Sequence, residues 1–206
     1  LAKEGLDLVV CGMRPKEQVM DVLESLCSSG ADVLYCRADV SQKEMRAKML
    51  ADIRAHYGRL HILVNNAGIN LRAPLEDFND DDWDKIIGIN LTGAYKVAKA
   101  VVKSMIIKGT GKIINIGSMQ SELGRLTIAP YAASKGGIKM LTKGMAVDWA
   151  QYNIQVNGIG PGYFATAQTA PIRVDGHAFN DFIISRTPAG RWGDPEDLAG
   201  TAVFLA

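Results

Sequence analysis

The chain has 206 residues, 48% of them hydrophobic and 22% charged, with a formal net charge of +1. That balance supplies a core and excludes a disordered chain, while near-neutrality excludes a counterion-driven nucleic-acid binder. No apolar run reaches the roughly 18 residues of a membrane span, and the spacing of Cys11, Cys27 and Cys36 suits neither a disulfide framework nor a zinc site, so buried free thiols are expected.

In chain order the pattern alternates strand and helix. Residues 1–5 read as the tail of a helix closed by Gly5. The apolar run 6–11, ended by Gly12, is a strand. Residues 15–29 have helical spacing at Val19, Val22, Leu23 and Leu26, with Pro15 suited to the first turn. A strand follows over 31–36. Ser41, with Glu44 three residues on, predicts a capping box for a helix running to about Tyr57. Residues 62–64 form a strand that stops at Asn65-Asn66. One long helix is predicted over 80–108, ended by Gly109 and Gly111, then a strand over 112–116. A second long helix covers 130–152, and the strand 154–157 leads into Gly160-Pro161-Gly162. Residues 162–188 are loop-rich, with one short helical segment. Asp194-Pro195-Glu196 opens a last helix that stops in mid-turn. Both ends read as cut.

Near-continuous apolar strands between helices predict a parallel sheet buried on both faces. Right-handed crossovers make it a single doubly wound, Rossmann-like α/β domain over 1–206. Ligands bind at the C-terminal strand ends of such a sheet. Asn65-Asn66-Ala67-Gly68, Gly117-Ser118 and Pro161-Gly162 all fall there.

Tyr131 and Lys135 lie four apart early on a helix, so they share a face. An ammonium near a phenol favours the phenolate, which suits a general acid/base. Alone, the pair is equally two surface residues. Ser118, placed directly after the preceding strand, is positioned to polarise a carbonyl. Asn90 sits in a long apolar helix, where its amide needs partners; holding a water that relays protons to Lys135 is a reasonable task.

These residues, in order and on the right elements, resemble the short-chain dehydrogenase/reductase family over nearly the whole chain. The motifs are Asp39-Val40, Asn65-Asn66-Ala67-Gly68, Asn90, Ser118, Tyr131-x-x-x-Lys135, and Val156-Asn157 leading to Pro161-Gly162. The resemblance implies Tyr131 as acid/base, Ser118 as carbonyl orienter, Lys135 as Tyr activator and ribose ligand, and Asn90 as relay residue. A nicotinamide cofactor carries the hydride chemistry. The family's opening strand and Gly-rich phosphate turn and its last strand have no counterpart here. A chain without that mid-sheet strand is expected to fold poorly alone. His61 stands where the family often has Asp, and a structural or surface role is expected for it; His56 and His177 show no evident partners.

The cofactor choice is read after the first strand, where an acidic residue would select NAD. Met13 takes that place and Arg14 follows, so NADP(H) is favoured over NAD(H), with Arg14 on the 2′-phosphate. The resemblance adds Asp39, Val40, Asn65, Ala67, Gly68, Tyr131, Lys135, Pro161, Gly162 and Thr166 as cofactor contacts. Two stretches, 118–125 and 157–164, with 186–195, are similar to the branch acting on gluconate and 5-keto-gluconate. Arg72 then pairs with the sugar-acid carboxylate, and Gln120, Glu122 and Tyr163 bind hydroxyls; a solvated charge is the plainer reading of Arg72 and Arg125. The N-terminal third is closer to 3-oxoacyl reductases, which leaves 3-oxoacyl carrier-protein reduction as a rival. A non-catalytic scaffold retaining the fold is a third reading. No metal, nucleic-acid or membrane partner is expected. The helices 80–108 and 130–152 resemble the family's interface helices, implying a homo-tetramer or a dimer. Residues 162–188 are expected to act as a lid, with Phe179, Phe182, Ile183 and Ile184 closing over the pocket. The cytoplasm is the expected compartment.

Overall fold

Short runs rich in Val, Ile and Leu, bounded by Gly or Asn, become parallel strands: β1 Leu8–Gly12, β2 Val33–Arg37, β3 Ile62–Asn65, β4 Gly111–Ile116 and β5 Ile154–Ile159. The protein is seen in a computed structural model that describes the backbone over 1–206 and every side chain but that of Gln168. The strands form two sheets rather than the one expected. The first is β1-β2, with Cys11 opposite Cys36; the second is β3-β4-β5, with Ile113 between Leu63 and Val156. Bonded strands must lie about 4.8 Å apart. β1 and β3 are not paired with each other, so each has one edge without a strand partner among the described residues. One core still crosses the break: Cys36, Met49 and Ile53 pack with Leu63, Val101, Met105, Ile113 and Val156.

The helices are α1 Met20–Cys27, α2 Lys43–Tyr57, α3 Asp80–Ile87, α4 Ala94–Lys108, α5 Ala129–Trp149, α6 Ala178–Arg186 and α7 Ala199–Leu205. Several boundaries move. The 15–29 helix is interrupted at Val19 (φ −129°), between a 3₁₀ turn over Lys16–Gln18 and α1. The Ser41 capping box does not form. Asp39 Oδ1 accepts the Ser41 N–H at 2.8 Å, the helix starts one residue past Gln42, and Arg46 Nη1 donates to the Val40 carbonyl at 2.6 Å. The last helix is capped as expected, Asp194 accepting from Glu196 N–H at 3.1 Å. Cys36 is buried, but Cys11 and Cys27 are exposed, one near the end of β1 and one at the last residue of α1, where cover stops. His56 does have a partner, Asp32 at 2.7 Å, and His177 caps α6 by accepting the Phe179 N–H. No described helix is long and apolar enough to cross a membrane.

The predicted 80–108 helix is two α-helices joined by a π turn, Gly88–Gly93. Asn79 caps its start by accepting from Asp81 N–H, and three Asp residues in the first turn suit the positive end of the helix dipole. Gly109, at φ 65°, ends it. Gly93 lets the π turn approach the loop after β2. A Cβ there would fall 2.8 Å from Val40 Cγ2 and 3.2 Å from the carbonyl oxygens of Gly88 and Val40. Gly93→Ala is therefore expected to lower stability by about 1–3 kcal/mol, the usual cost of overpacking. A denaturant midpoint unchanged from wild type would contradict it.

Candidate active site

The second sheet and α5 are tied by buried amides. Asn65 Nδ2 donates to Asn115 Oδ1 at 2.9 Å, Asn115 Nδ2 to Thr142 Oγ1 at 2.9 Å, and Thr142 Oγ1 to the Ile138 carbonyl at 2.7 Å. Asn115 is wholly buried, so an unmet amide there would be costly. This line holds β3, β4 and α5 in fixed relation. The Asn65 side chain thus points into the sheet, away from the loop where the motif reading placed it. Asn115 and Thr142 escaped that reading; a polar residue inside the run Ile113-Ile114-Asn115-Ile116 was the available signal.

Asn90 lies in the π turn, 1% exposed. Its Oδ1 accepts from Ile69 N–H at 2.8 Å, while Nδ2 donates to the Ile69 carbonyl at 2.9 Å and to Ser134 Oγ at 3.0 Å. Ser134 Oγ in turn donates to the Tyr131 carbonyl at 2.7 Å. Asn90 therefore clamps the loop after β3 to the first turns of α5. Both amide protons are committed, so toward a water this side chain can only accept.

Lys135 is buried, and its Nζ donates to the Ile116 carbonyl at 2.7 Å. The same ammonium stands 5.7 Å from the centroid of the Tyr131 ring. Burial pushes its pKa down to about 8. Gly68 completes the cluster: a Cβ on it would sit 3.4 Å from Asn90 Oδ1 and 3.6 Å from Lys135 Nζ. Absence of that Cβ leaves a cradle beside a cation and an amide oxygen, where a ribose hydroxyl fits. Asn90, Tyr131, Lys135 and Gly68 are thus brought together.

Ser118 follows β4 and caps a short 3₁₀ turn, its Oγ accepting from Gln120 N–H at 3.1 Å and its N–H donating to Ser121 Oγ at 3.2 Å. Its own O–H remains to donate. Of the four candidate substrate ligands, Gln120 keeps a buried Oε1 without a hydrogen-bond partner, and Arg72 makes no ion pair with a described residue. The other two are engaged: Glu122 pairs with Lys139 at 2.5 Å, and Tyr163 Oη accepts from Arg125 Nη1 at 2.7 Å. A cavity of about 440 Å³ opens at Ser118 and runs along α5 past Ile138, Thr142 and Ala146, toward β5. Tyr131 and Lys135 do not line it, so its size is no guide to the reacting centre.

The remaining cofactor candidates sit at other strand ends. After β1, Tyr35 Oη donates to the Arg14 carbonyl at 2.6 Å and Arg37 Nε to the Met13 carbonyl at 3.0 Å. The turn is pinned from β2, with the exposed Arg14 and Arg37 side chains close by. Arg37 was missed from sequence because only strand pairing places it beside Met13. Asp39 is occupied by the Ser41 N–H, and Val40 packs against Gly93. Ala67 and Gly162 are exposed, and the Pro161 carbonyl accepts from Met119 N–H at 3.0 Å. Thr166 begins a 3₁₀ helix, Ala167–Ile172, its N–H donating to Thr169 Oγ1. In α6, Ile183 is fully buried while Phe182 and Ile184 are exposed, so the expected lid residues do not share one role.

Residues 1–176 match the family model described as short chain dehydrogenase. Over all 206 residues the chain is 49% identical to the 2-dehydro-3-deoxy-D-gluconate 5-dehydrogenase of Formosa agariphila, spanning 78% of that protein. It is 44% identical to the gluconate 5-dehydrogenase of Gluconobacter oxydans, spanning 80% of it. A crystal structure of a gluconate 5-dehydrogenase from Burkholderia cenocepacia, in complex with NADP and tartrate, aligns with a TM-score of 0.87 at 47% identity. That alignment covers 96% of this chain and 77% of the other.

Proposed function

Because the chain belongs to the short-chain dehydrogenase family, we propose that it is an NADP(H)-dependent oxidoreductase interconverting a gluconate-type sugar acid and its 5-keto form. The observation that carries this is the buried Lys135 ammonium, bonded to the Ile116 carbonyl and standing over the Tyr131 ring. A buried cation beside a phenol on one helix face is an acid/base pair. The relatives' names support the sugar-acid substrate. Residues 1–206 act as one dinucleotide-binding and catalytic domain.

When bound, the nicotinamide supplies the hydride. Ser118 donates its O–H to the substrate oxygen and holds it in line. Tyr131 gives that oxygen a proton in reduction and takes it back in oxidation. Lys135 stabilises the phenolate formed between those events, and its ammonium holds a ribose hydroxyl in the space that Gly68 leaves open. Water accepted by Asn90 Oδ1 returns the proton. Ala67, Gly68, Pro161, Gly162 and Thr166 border the nicotinamide side, Asp39 and Val40 the adenine; Asn65 contributes by fixing the loop. Oxidation of NADPH by 5-keto-D-gluconate tests the reading, and 2-dehydro-3-deoxy-D-gluconate with NADP⁺ tests the second substrate the relatives suggest. An intact protein that binds NADPH and turns over neither would defeat it.

Arg14 and Arg37 favour NADP(H) over NAD(H), since a guanidinium pairs bidentately with a 2′-phosphate. Arg14→Glu is expected to cut the NADPH:NADH ratio of kcat/KM by about 10- to 100-fold, the worth of one or two charge-assisted bonds. An unchanged ratio would place Arg14 in solvent only. A cytoplasmic homo-tetramer is the proposed form, supported by large apolar side chains left exposed on the α3–α4 and α5 helices, among them Trp83, Ile107, Met140 and Val147. Light scattering reads the assembly.

A further inference from the structure

We infer that Arg125, acting with Arg72 across the ring of Phe179, forms a two-arginine clamp for the substrate carboxylate and makes the site selective for acids over neutral polyols. The inference rests on the sugar-acid reading above and deepens it. Arg72 lies in the chain after β3, Arg125 between β4 and α5, Tyr163 after β5, and Phe179 in the first turn of α6. All four gather at the strand ends that carry Ser118 and Tyr131.

The Arg125 guanidinium carbon is 4.8 Å from the Phe179 ring centroid and 5.9 Å from that of Tyr163, and Arg72 is 6.0 Å from Phe179. Two cations therefore share one aromatic ring. Cation–ring attraction favours each singly, but like charges at this range repel. Burial and the neighbouring Arg125 both hold the Arg72 guanidinium below its ordinary range. Among the described residues no carboxylate stands within salt-bridge distance of either. Arg125 makes one side-chain hydrogen bond, to Tyr163, and Arg72 makes none. Each guanidinium carries five donors, so most of the donors here face no protein acceptor. An anion between them removes the repulsion and takes the donors. A carboxylate matches the planar guanidinium fork.

The surroundings are built to hold this geometry. Tyr163 packs edge-on against Phe179 at 5.8 Å and against Trp192 at 5.9 Å. Trp192 Nε1 donates to the buried Asn180 Oδ1 at 2.7 Å, which fixes α6 under the rings. Tyr163 is then a support for Arg125 rather than a hydroxyl ligand. Phe179 makes the clamp part of α6, so a carboxylate bound there also secures that helix over the substrate.

The test compares D-gluconate with D-glucitol, in which CH₂OH replaces the carboxylate, using the full chain and NADP⁺. In Arg125→Gln the gluconate:glucitol ratio of kcat/KM is expected to fall about 10- to 100-fold, mostly through KM. Arg125→Lys, which keeps the charge but not the fork, recovers part of it. An NADPH dissociation constant within twofold of wild type confirms that the variants are folded. Equal losses on both substrates would overturn the clamp and leave Arg125 a prop for Tyr163. Should the wild type act on neutral substrates but on no sugar acid, the sugar-acid reading fails separately. Competitive inhibition by tartrate then decides: inhibition weakened at least tenfold in Arg125→Gln upholds the clamp, and equal or absent inhibition overturns it.

Discussion

Tyr131→Phe is expected to lower ketone reduction with NADPH by about 100- to 10,000-fold, the range of a lost general acid. The substitution removes one oxygen and leaves the ring that faces Lys135 Nζ at 5.7 Å. Nothing else in the cluster depends on the phenol: Lys135 keeps the Ile116 carbonyl, and Ser134 bonds the Tyr131 backbone, not its side chain. NADPH affinity and thermal stability should therefore stay near wild type while kcat collapses. Rate loss shared evenly between kcat and cofactor binding would mean that the hydroxyl mainly holds the cofactor. Activity near wild type would remove Tyr131 from the chemistry.

Lys135→Met should separate function from stability in the opposite sense. Turnover is expected to drop about 100-fold or more, because the buried charge that supports the phenolate is gone. Stability carries a distinct pH signature. Burial pushes the folded pKa from 10.5 to about 8. Between those values the unfolded chain holds a proton that the folded chain has released, so stability rises with pH across that window. Below pH 8 the whole cost of burying the charge is present, about 3 kcal/mol at 1.36 kcal/mol per pKa unit. Met carries no such cost. The wild-type minus variant difference in unfolding free energy should therefore shift in favour of wild type by about 3 kcal/mol from pH 7 to pH 10.5. Urea unfolding at the two pH values measures it, and a difference that stays constant would show that Lys135 is effectively solvated.

Strand positions and the Tyr131–Lys135 pair were legible because periodicity and spacing are local properties of the chain. Helix interruptions were not. Val19 breaks one helix through a backbone angle, and Gly88–Gly93 widens another without leaving the apolar pattern that marks it as helical. The capping box at Ser41 failed for a similar reason: Asp39, two residues earlier, competes for the same backbone and wins. Asn115, Arg37 and Ser134 acquire their places only from neighbours distant in sequence. Glu122 and Tyr163 have residue types that suit sugar hydroxyls, yet Lys139 and Arg125 claim them first. Residue type states what a side chain can bind; the fold decides what remains free to do so.

The π turn also governs how this helix tolerates insertion and deletion. A π turn is what an α-helix becomes when it accommodates one surplus residue. Removing a residue from 88–93 would restore regular α geometry and rotate everything beyond it by about 100° relative to α3. Val97, Val101 and Met105 would then leave the core together, and Asn90 would lose Ile69. Chain length in this segment is thus a phase setting: most single substitutions shift it little, whereas one deletion puts half the helix out of step with the sheet.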